Sequence, residues 1–545
     1  MLLSRRTNWW MGGLVLAILL AYVVWPTISV FSTGLKPSNV SRLLGPAGTA
    51  TREALFNSVW ISLWTVVGAG ALGTLLAWLL HRFDFPLRRV VTSVAALPLA
   101  LPPLVGVLAF LFLYGESGML PRALQVGLGL ENVPFSFGGL WAVWLVHVYS
   151  MYVFFYLFCA AALKTLDRSQ MEAAEDLGAG TWQSFRSVAL PHLRPAMTGS
   201  ALLVFMISMA SFTAPLLFAG TERFLTLQIY NYKMNGDLEM SAAVSVLLTV
   251  ICLLFLAGLE LDRRRKSEAT GKGTPAPPRP VTSGWMRAVA VLTAGGVLLF
   301  LLLPVLTIVL VSFVKEGSWT YQVLPTAFTL ENYTGLFADA DVFAPIGNSL
   351  RMATLATIAN LIFGVSAALF IVKGTTPGRG LVRLLAVLPF AIPGTVIAIN
   401  LIVTFDSPGP LSAGQALTGT VWLLPLAYFI RHIPLVVRST TAALESYDDR
   451  LTDASMDLGA GTAMTLRRVV LPVIAPGIVA GTLLTFVTAL GEFVSSILLY
   501  VFDNRPISVE ILSQLRIYDF GAAAAYSVFL MILIGLATLV TARAR

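Results

Sequence analysis

A chain of 545 residues with 57% hydrophobic and only 12% charged side chains cannot fold as a water-soluble globule, which carries roughly 25% charged residues. The net charge of +8 does not point to nucleic acid, because the basic residues lie in short segments flanking apolar runs, as orientation signals do. Two cysteines inside apolar runs and four histidines exclude a disulfide framework and a His-rich intramembrane metal site.

Runs long enough to cross the ~30 Å hydrocarbon core at about 1.5 Å per residue fall near residues 9–32, 57–80, 90–113, 138–163, 196–219 and 241–259. Six more lie near 288–313, 348–372, 384–405, 419–442, 476–501 and 521–541. The expected fold is an all-α polytopic membrane protein with about 12 transmembrane helices. The first run follows Arg5 and Arg6, but it is too long for a signal peptide and lacks a small-residue cleavage site, so it is read as a retained span. Placing both termini in the cytoplasm puts Arg82, Arg88, Arg89, Lys164, Arg263, Arg264, Arg265, Lys266 and Lys373 inside, and leaves the opposite loops poorer in Lys and Arg.

Between the fourth and fifth runs, residues 172–191 read EAAEDLGAGTWQSFRSVALP. Ser169, three residues before Glu172, suits a capping box, Gly178 tolerates the positive φ that ends a short helix, and Leu190-Pro191 marks the return to the next span. Residues 261–286 are basic at first and then rich in Pro, Gly, Ser and Thr, which is the composition of a linker. Its Gly-Lys-Gly lacks the spacing of a nucleotide-binding P-loop. Residues 453–472 then repeat the earlier loop as DASMDLGAGTAMTLRRVVLP. The offset is 281 from Gly178 to Gly459 and from Pro191 to Pro472, and 291 from Asn57-Ser58 to Asn348-Ser349 and from LPLALPP at Leu97 to LPFAIPG at Leu388. The chain is therefore a tandem of two homologous six-helix halves, 1–260 with a loop at 167–191 and 287–545 with a loop at 448–472. The second loop has Arg450 where the first has Ser169, so the cap is expected to be absent there.

E-A-A, three residues, Gly, nine residues, a branched aliphatic, one residue and Leu-Pro resembles the signature loop of permease subunits of binding-protein-dependent ABC importers. Glu172, Ala173, Ala174, Gly178, Val188, Leu190 and Pro191 match it, and Asp453, Ala454, Ser455, Gly459, Val469, Leu471 and Pro472 match it with two substitutions. The resemblance implies the type I ABC importer permease fold in a bacterial inner membrane. It also implies that each loop is a coupling helix docked in one of two copies of an ABC ATPase subunit, with solute delivered by an extracytoplasmic solute-binding protein. On that reading the chain has no catalytic residue, metal or cofactor of its own, and ATP and Mg belong to the ATPase subunits. FTLENYTGLF from Phe328, SFTAPLLFAG from Ser211 and ALGEFVSSILLY from Ala489 resemble fused permeases of ferric-iron importers, with thiamine, phosphonate and polyamine importers as relatives. Ferric iron is the expected cargo.

Polar residues inside spans are few and worth weighing. Glu492 falls in the outer half of the eleventh run and Ser211 stands 281 residues earlier; with Phe212, Thr213, Phe493 and Ser496 they are candidates to line the translocation path. The competing expectation is an internal partner for Glu492, such as Arg431 or His432. His147, Asn360 and Asn400 are expected to make helix-packing hydrogen bonds, and Arg351 to snorkel. The rival reading is a twelve-helix secondary transporter of the major facilitator type. That class needs a Gly, Asp and Arg-rich signature between its second and third spans, where this chain has HRFDFPLRR.

Overall fold

The computed structural model of the protein describes residues 5–266, 277–319 and 322–543, so the middle of the linker expected at 261–286 lies outside the described residues. Each apolar run is helical, but four are not continuous. The third is divided into Arg88–Val94, Leu97–Ala100 and Pro103–Tyr114, because Pro98, Pro102 and Pro103 donate no backbone hydrogen bond and clash with the preceding turn. The ninth bends by 108° between Arg379–Ala391 and Gly394–Phe405. The fifth stops at Met209 and restarts at Thr213, and the eleventh stops at Leu490 and restarts at Ser496. Among the described residues nine helices are long and apolar enough to span a membrane, or ten with the bent pair counted as one, against the expected twelve.

Two compact units emerge, and they cut across the sequence halves. One, here the first-loop unit, comprises Gly48–Gln228 and Val250–Thr329; the second-loop unit comprises Met1–Ala47, Ile229–Thr249 and Leu330–Arg545. The opening helix of each sequence half thus packs among helices of the other half. In the first-loop unit Gly284–Val311 lies against Pro103–Tyr114, and the Tyr149 hydroxyl donates to the Leu301 carbonyl at 3.0 Å. In the second-loop unit Asn8 donates to Thr375 at 3.2 Å, Tyr22 to the Leu411 carbonyl at 3.1 Å, and Asn400 to Thr27 at 3.2 Å. A repeat in sequence records common descent, and it does not say which helices are neighbours.

The longest helix in each unit, Thr49–Arg82 or Ala340–Lys373, packs on the helix that precedes the loop, Gly139–Leu163 or Leu423–Glu445. Close approach depends on one glycine at equivalent positions. A Cβ at Gly73 would fall on the Tyr152 carbonyl oxygen and the Tyr156 nitrogen; one at Gly364 would lie 2.6 Å from Val436 Cγ1. Small residues at a helix crossing let backbones meet where lipid supplies no hydrophobic drive. The Asn-Ser repeat acts at the opposite end of the same helices. Ser58 accepts from the Leu225 amide at 3.0 Å and Ser349 from the Ile507 amide at 2.8 Å, which satisfies the first N–H of Leu225–Met234 and of Ile507–Arg516.

Candidate functional site

Each loop opens with a short helix, Arg168–Asp176 in the first and Arg450–Asp457 in the second. The cap is not Ser169. Asp167 accepts from the Ser169 amide at 3.1 Å, and Glu172 instead pairs with Arg168 at 2.6 Å. Asp448, 281 residues on, makes the matching contact by accepting from the Arg450 amide at 3.0 Å, but it stands one residue before the N-cap Asp449, whose own side chain caps nothing. Ser169 suits the cap only if the helix starts after it, whereas the helix starts at Arg168 and leaves Asp167 at the position whose carboxylate reaches an early amide.

Both helices end the same way. Gly178 has φ of 83° and Gly459 of 86°. The Gly178 amide donates to the Glu175 carbonyl and Ala179 to Ala174, and Gly459 donates to Met456 and Ala460 to Ser455. This is the paired i+3 and i+5 closure of a Schellman turn, which needs a left-handed residue at the position glycine fills. Open space surrounds both glycines, so backbone conformation and not crowding selects the residue. The turn leaves Leu177 at 89% and Leu458 at 88% exposure, two matched apolar knobs at the ends of the short helices.

The Leu-Pro pair has its own logic. Pro191 and Pro472 carry no N–H, and the chain before each adopts a single π turn, Phe185–Ala189 and Leu466–Val470. Leu190 donates five residues back to Phe185 and Leu471 to Leu466, and Leu190–Met209 and Leu471–Leu490 continue from there. The substitutions in the second triplet are accommodated locally. Ser455, which stands for Ala174, shares a 3.0 Å hydrogen bond with Thr465, which stands for Ser184. Ala173 and Ala454 are exposed on the short helices, and Asp453 has no ion-pair partner among the described residues.

The residues expected along a path gather at the two helix breaks. Ser211 lies between Met209 and Thr213, where its hydroxyl meets His147 Nε2 at 2.8 Å and its carbonyl accepts from Thr226 at 2.7 Å. His147 Nδ1 meets Ser208 at 3.1 Å, so this histidine joins two helices as a packing hydrogen bond. Phe212 and Thr213 are buried beside it. Glu492 is not within a helix: it follows the end of Leu471–Leu490 at Gly491, whereas the apolar run suggested an unbroken span. Its carboxylate pairs with Arg431 Nε at 2.8 Å and accepts from the Ser495 amide at 3.0 Å. Its carbonyl accepts from Ser496 at 2.6 Å and Ser508 at 2.8 Å. Phe493 and Ser496 are buried. Backbone freed from a helix at membrane depth must be satisfied by neighbours, and Thr226 and Ser508 do so at equivalent positions.

Arg431, named only as a possible partner from sequence, lies over the Gly394 end of the bent pair, where a Cβ would collide with its guanidinium. Asn360 donates to the Phe429 carbonyl at 3.1 Å, an interhelical bond as expected. Among the described residues no group of three or more His, Cys, Asp or Glu could hold a metal ion. Sequence reasoning missed Glu175, which pairs with Arg82 and with Arg279. Nothing in linear spacing links those three.

The sequence model of the family described as "Binding-protein-dependent transport system inner membrane component" matches residues 69–267 and again 360–544. The chain is 29% identical over 539 residues, 97% of this chain and 94% of the relative, to the "Probable ABC transporter permease protein y4fN" of Sinorhizobium fredii. It is 26% identical to the ferric transport system permease protein FbpB of Actinobacillus pleuropneumoniae, over 96% of this chain and 76% of the relative. It is 31% identical to the spermidine/putrescine transport system permease protein PotB of Salmonella typhimurium, over 48% of this chain and 94% of the relative.

Proposed function

The chain belongs to the family of binding-protein-dependent transport system inner membrane components, and on that premise we propose that it is the fused permease of a ferric-iron importer. As an ABC importer permease it is a transport component of the inner membrane and not itself a catalyst. The finer reading is that both loops face the cytoplasm, each seats one of two copies of an ABC ATPase, and a solute-binding protein delivers iron from the other side. ATP and Mg act on the ATPase subunits, and this chain holds no cofactor.

The observation that carries the reading is the duplicated loop: the same aspartate-to-amide contact at the helix start, the same Schellman turn and the same protruding leucine, 281 residues apart. A short helix capped at both ends is rigid, and an apolar side chain left in water at its tip suits insertion into a groove of a partner. Two such devices on one chain fit two equal partners. Glu172, Ala173, Ala174, Gly178, Leu190 and Pro191, with Asp453, Ala454, Ser455, Gly459, Leu471 and Pro472, are the residues assigned to this coupling. Ser211, Phe212, Thr213, Glu492, Phe493 and Ser496 are assigned to the path at the two breaks.

The ferric assignment is supported by resemblance to a ferric permease across nearly the whole chain, whereas the polyamine permease aligns with half of it. The family match gives no support to a secondary carrier of the major facilitator type. The test is uptake of radiolabelled ferric iron into vesicles containing this chain, with and without its ATPase and binding protein. Uptake is expected only with all three and ATP. Uptake by the chain alone would restore the carrier reading, and ATP-driven uptake of spermidine but not iron would replace the cargo.

A further inference from the structure

Glu175 is the last acidic residue but one of the first loop helix, where the partial negative charge of the helix end disfavours a carboxylate. Two arginines offset this. Arg82, 6% exposed at the end of Thr49–Arg82, pairs with one carboxylate oxygen, and Arg279 pairs with the other. Arg279 belongs to the segment that joins the sequence halves. It is held there by backbone pairing: the two-residue strand β1, Phe83–Asp84, runs parallel to β2, Arg279–Pro280, and the Val281 amide donates to the Asp84 carbonyl at 3.1 Å. The joining segment is thus fixed to the chain just after Arg82, and from that footing it grips the loop helix.

The second loop provides an internal control. Met456 occupies the position of Glu175, and among the described residues no ion pair reaches that end of the helix. Lys373, the counterpart of Arg82, pairs instead with Asp449 before the helix and lies 5.3 Å over the Tyr447 ring. Both loops are held by a basic residue ending the long helix, but at opposite ends, and among the described residues the joining segment also holds the first and not the second.

We infer that Arg279 is a positioning residue for coupling at the first loop: the joining segment is a strap that sets the orientation of Arg168–Asp176 through Glu175, and the two ATPase contacts of this chain are therefore not equivalent. The inference rests on the reading of the loops as ATPase contacts. A rigid seat transmits motion in both directions, whereas a helix freed at its C-terminal end swivels under the ATPase without moving the spans.

The experiment uses the complete importer in vesicles and reads ATP hydrolysed per iron transported. Arg279→Glu, which sets two carboxylates against each other, is expected to raise that ratio by about fivefold, the upper scale for one exposed ion pair, with Arg279→Lys restoring it. A merely structural role would lower the amount of assembled complex and leave the ratio alone. Gly178→Pro in the same assay separates the two levels of the argument. If Gly178→Pro raises the ratio and Arg279→Glu does not, the strap is wrong and the coupling reading stands. If neither changes it, the coupling reading falls and the strap with it.

Discussion

At the break in the first-loop unit Ser211 meets His147; at the break in the second-loop unit Glu492 meets Arg431. The backbone solution is common to both, since Thr226 and Ser508 cap the freed carbonyls. The polarity is not. One break is held by neutral hydrogen bonds and the other carries a full ion pair, with Arg431 at 29% and Glu492 at 6% exposure. Because the neutral break folds without charges, holding the chain at this point does not require them. Ionised groups at membrane depth are costly, so the pair is the feature of the second break that function, and not architecture, has to explain.

Breaking that pair is the largest perturbation available. Arg431→Met leaves the Glu492 carboxylate buried without its cation and is expected to destabilise by about 3 to 5 kcal/mol. Removing both charges with Arg431→Met and Glu492→Gln should recover most of that loss. His147→Ala at the neutral break should cost about 1 to 2 kcal/mol, the scale of buried groups losing a hydrogen bond. Thermal unfolding of the purified protein in detergent ranks the three variants. A double variant no more stable than Arg431→Met alone would contradict the claim that architecture does not need the charges. Iron uptake by the double variant then asks the functional question, and unchanged uptake would remove Glu492 from the path.

The helix crossings offer a second contrast. Gly73 faces backbone, the Tyr152 carbonyl and Tyr156 nitrogen, whereas Gly364 faces the Val436 side chain. Backbone cannot rotate away, and at Val436 only Cγ1 can, because its Cβ, 2.7 Å from the added carbon, is fixed by the backbone. Gly73→Ala should therefore cost about 3 kcal/mol, the upper end of the overpacking range, and Gly364→Ala less than that. The same unfolding measurement decides, and equal losses would mean that both crossings yield alike.

Much of this was legible in the residues before any coordinates. The twelve apolar runs are helical, the loops stand where the repeat places them, and His147, Asn360 and Asn400 make the interhelical hydrogen bonds that isolated polar residues in apolar runs suggest. The breaks at 210–212 and 491–495 were hidden because hydropathy measures side chains, and a run stays apolar when its backbone bonds are redirected to Thr226 or Ser508. The grouping of the first helix with residues 330–545 was hidden because a repeat does not encode neighbours. Glu175 was passed over because its partners lie 93 residues before it and 104 after it.

At the turns, replacing Gly178 or Gly459 by Ala forces an alanine into left-handed backbone at a cost of about 1 to 2 kcal/mol. The clearance around both glycines is open, so neither loss includes a steric clash. Amide exchange in Arg168–Asp176 and Arg450–Asp457 should rise in the corresponding variant. A larger rise at the second loop is what the strap demands, because the first helix keeps Arg82 and Arg279 on Glu175 after its turn is weakened.

The smallest effect tests the caps. Asp167→Ala and Asp448→Ala each remove a carboxylate that accepts one early amide, worth about 1 kcal/mol, or about a fivefold change in local opening. Exchange of the Ser169 and Arg450 amides should quicken by that factor. Ser169→Ala should leave it unchanged, since the serine contributes its amide and not its hydroxyl to the cap. Were Ser169→Ala the variant that loosened the helix, with Asp167→Ala silent, the capping-box reading would be restored and the two loops would differ at their start, as their first residues in sequence suggest.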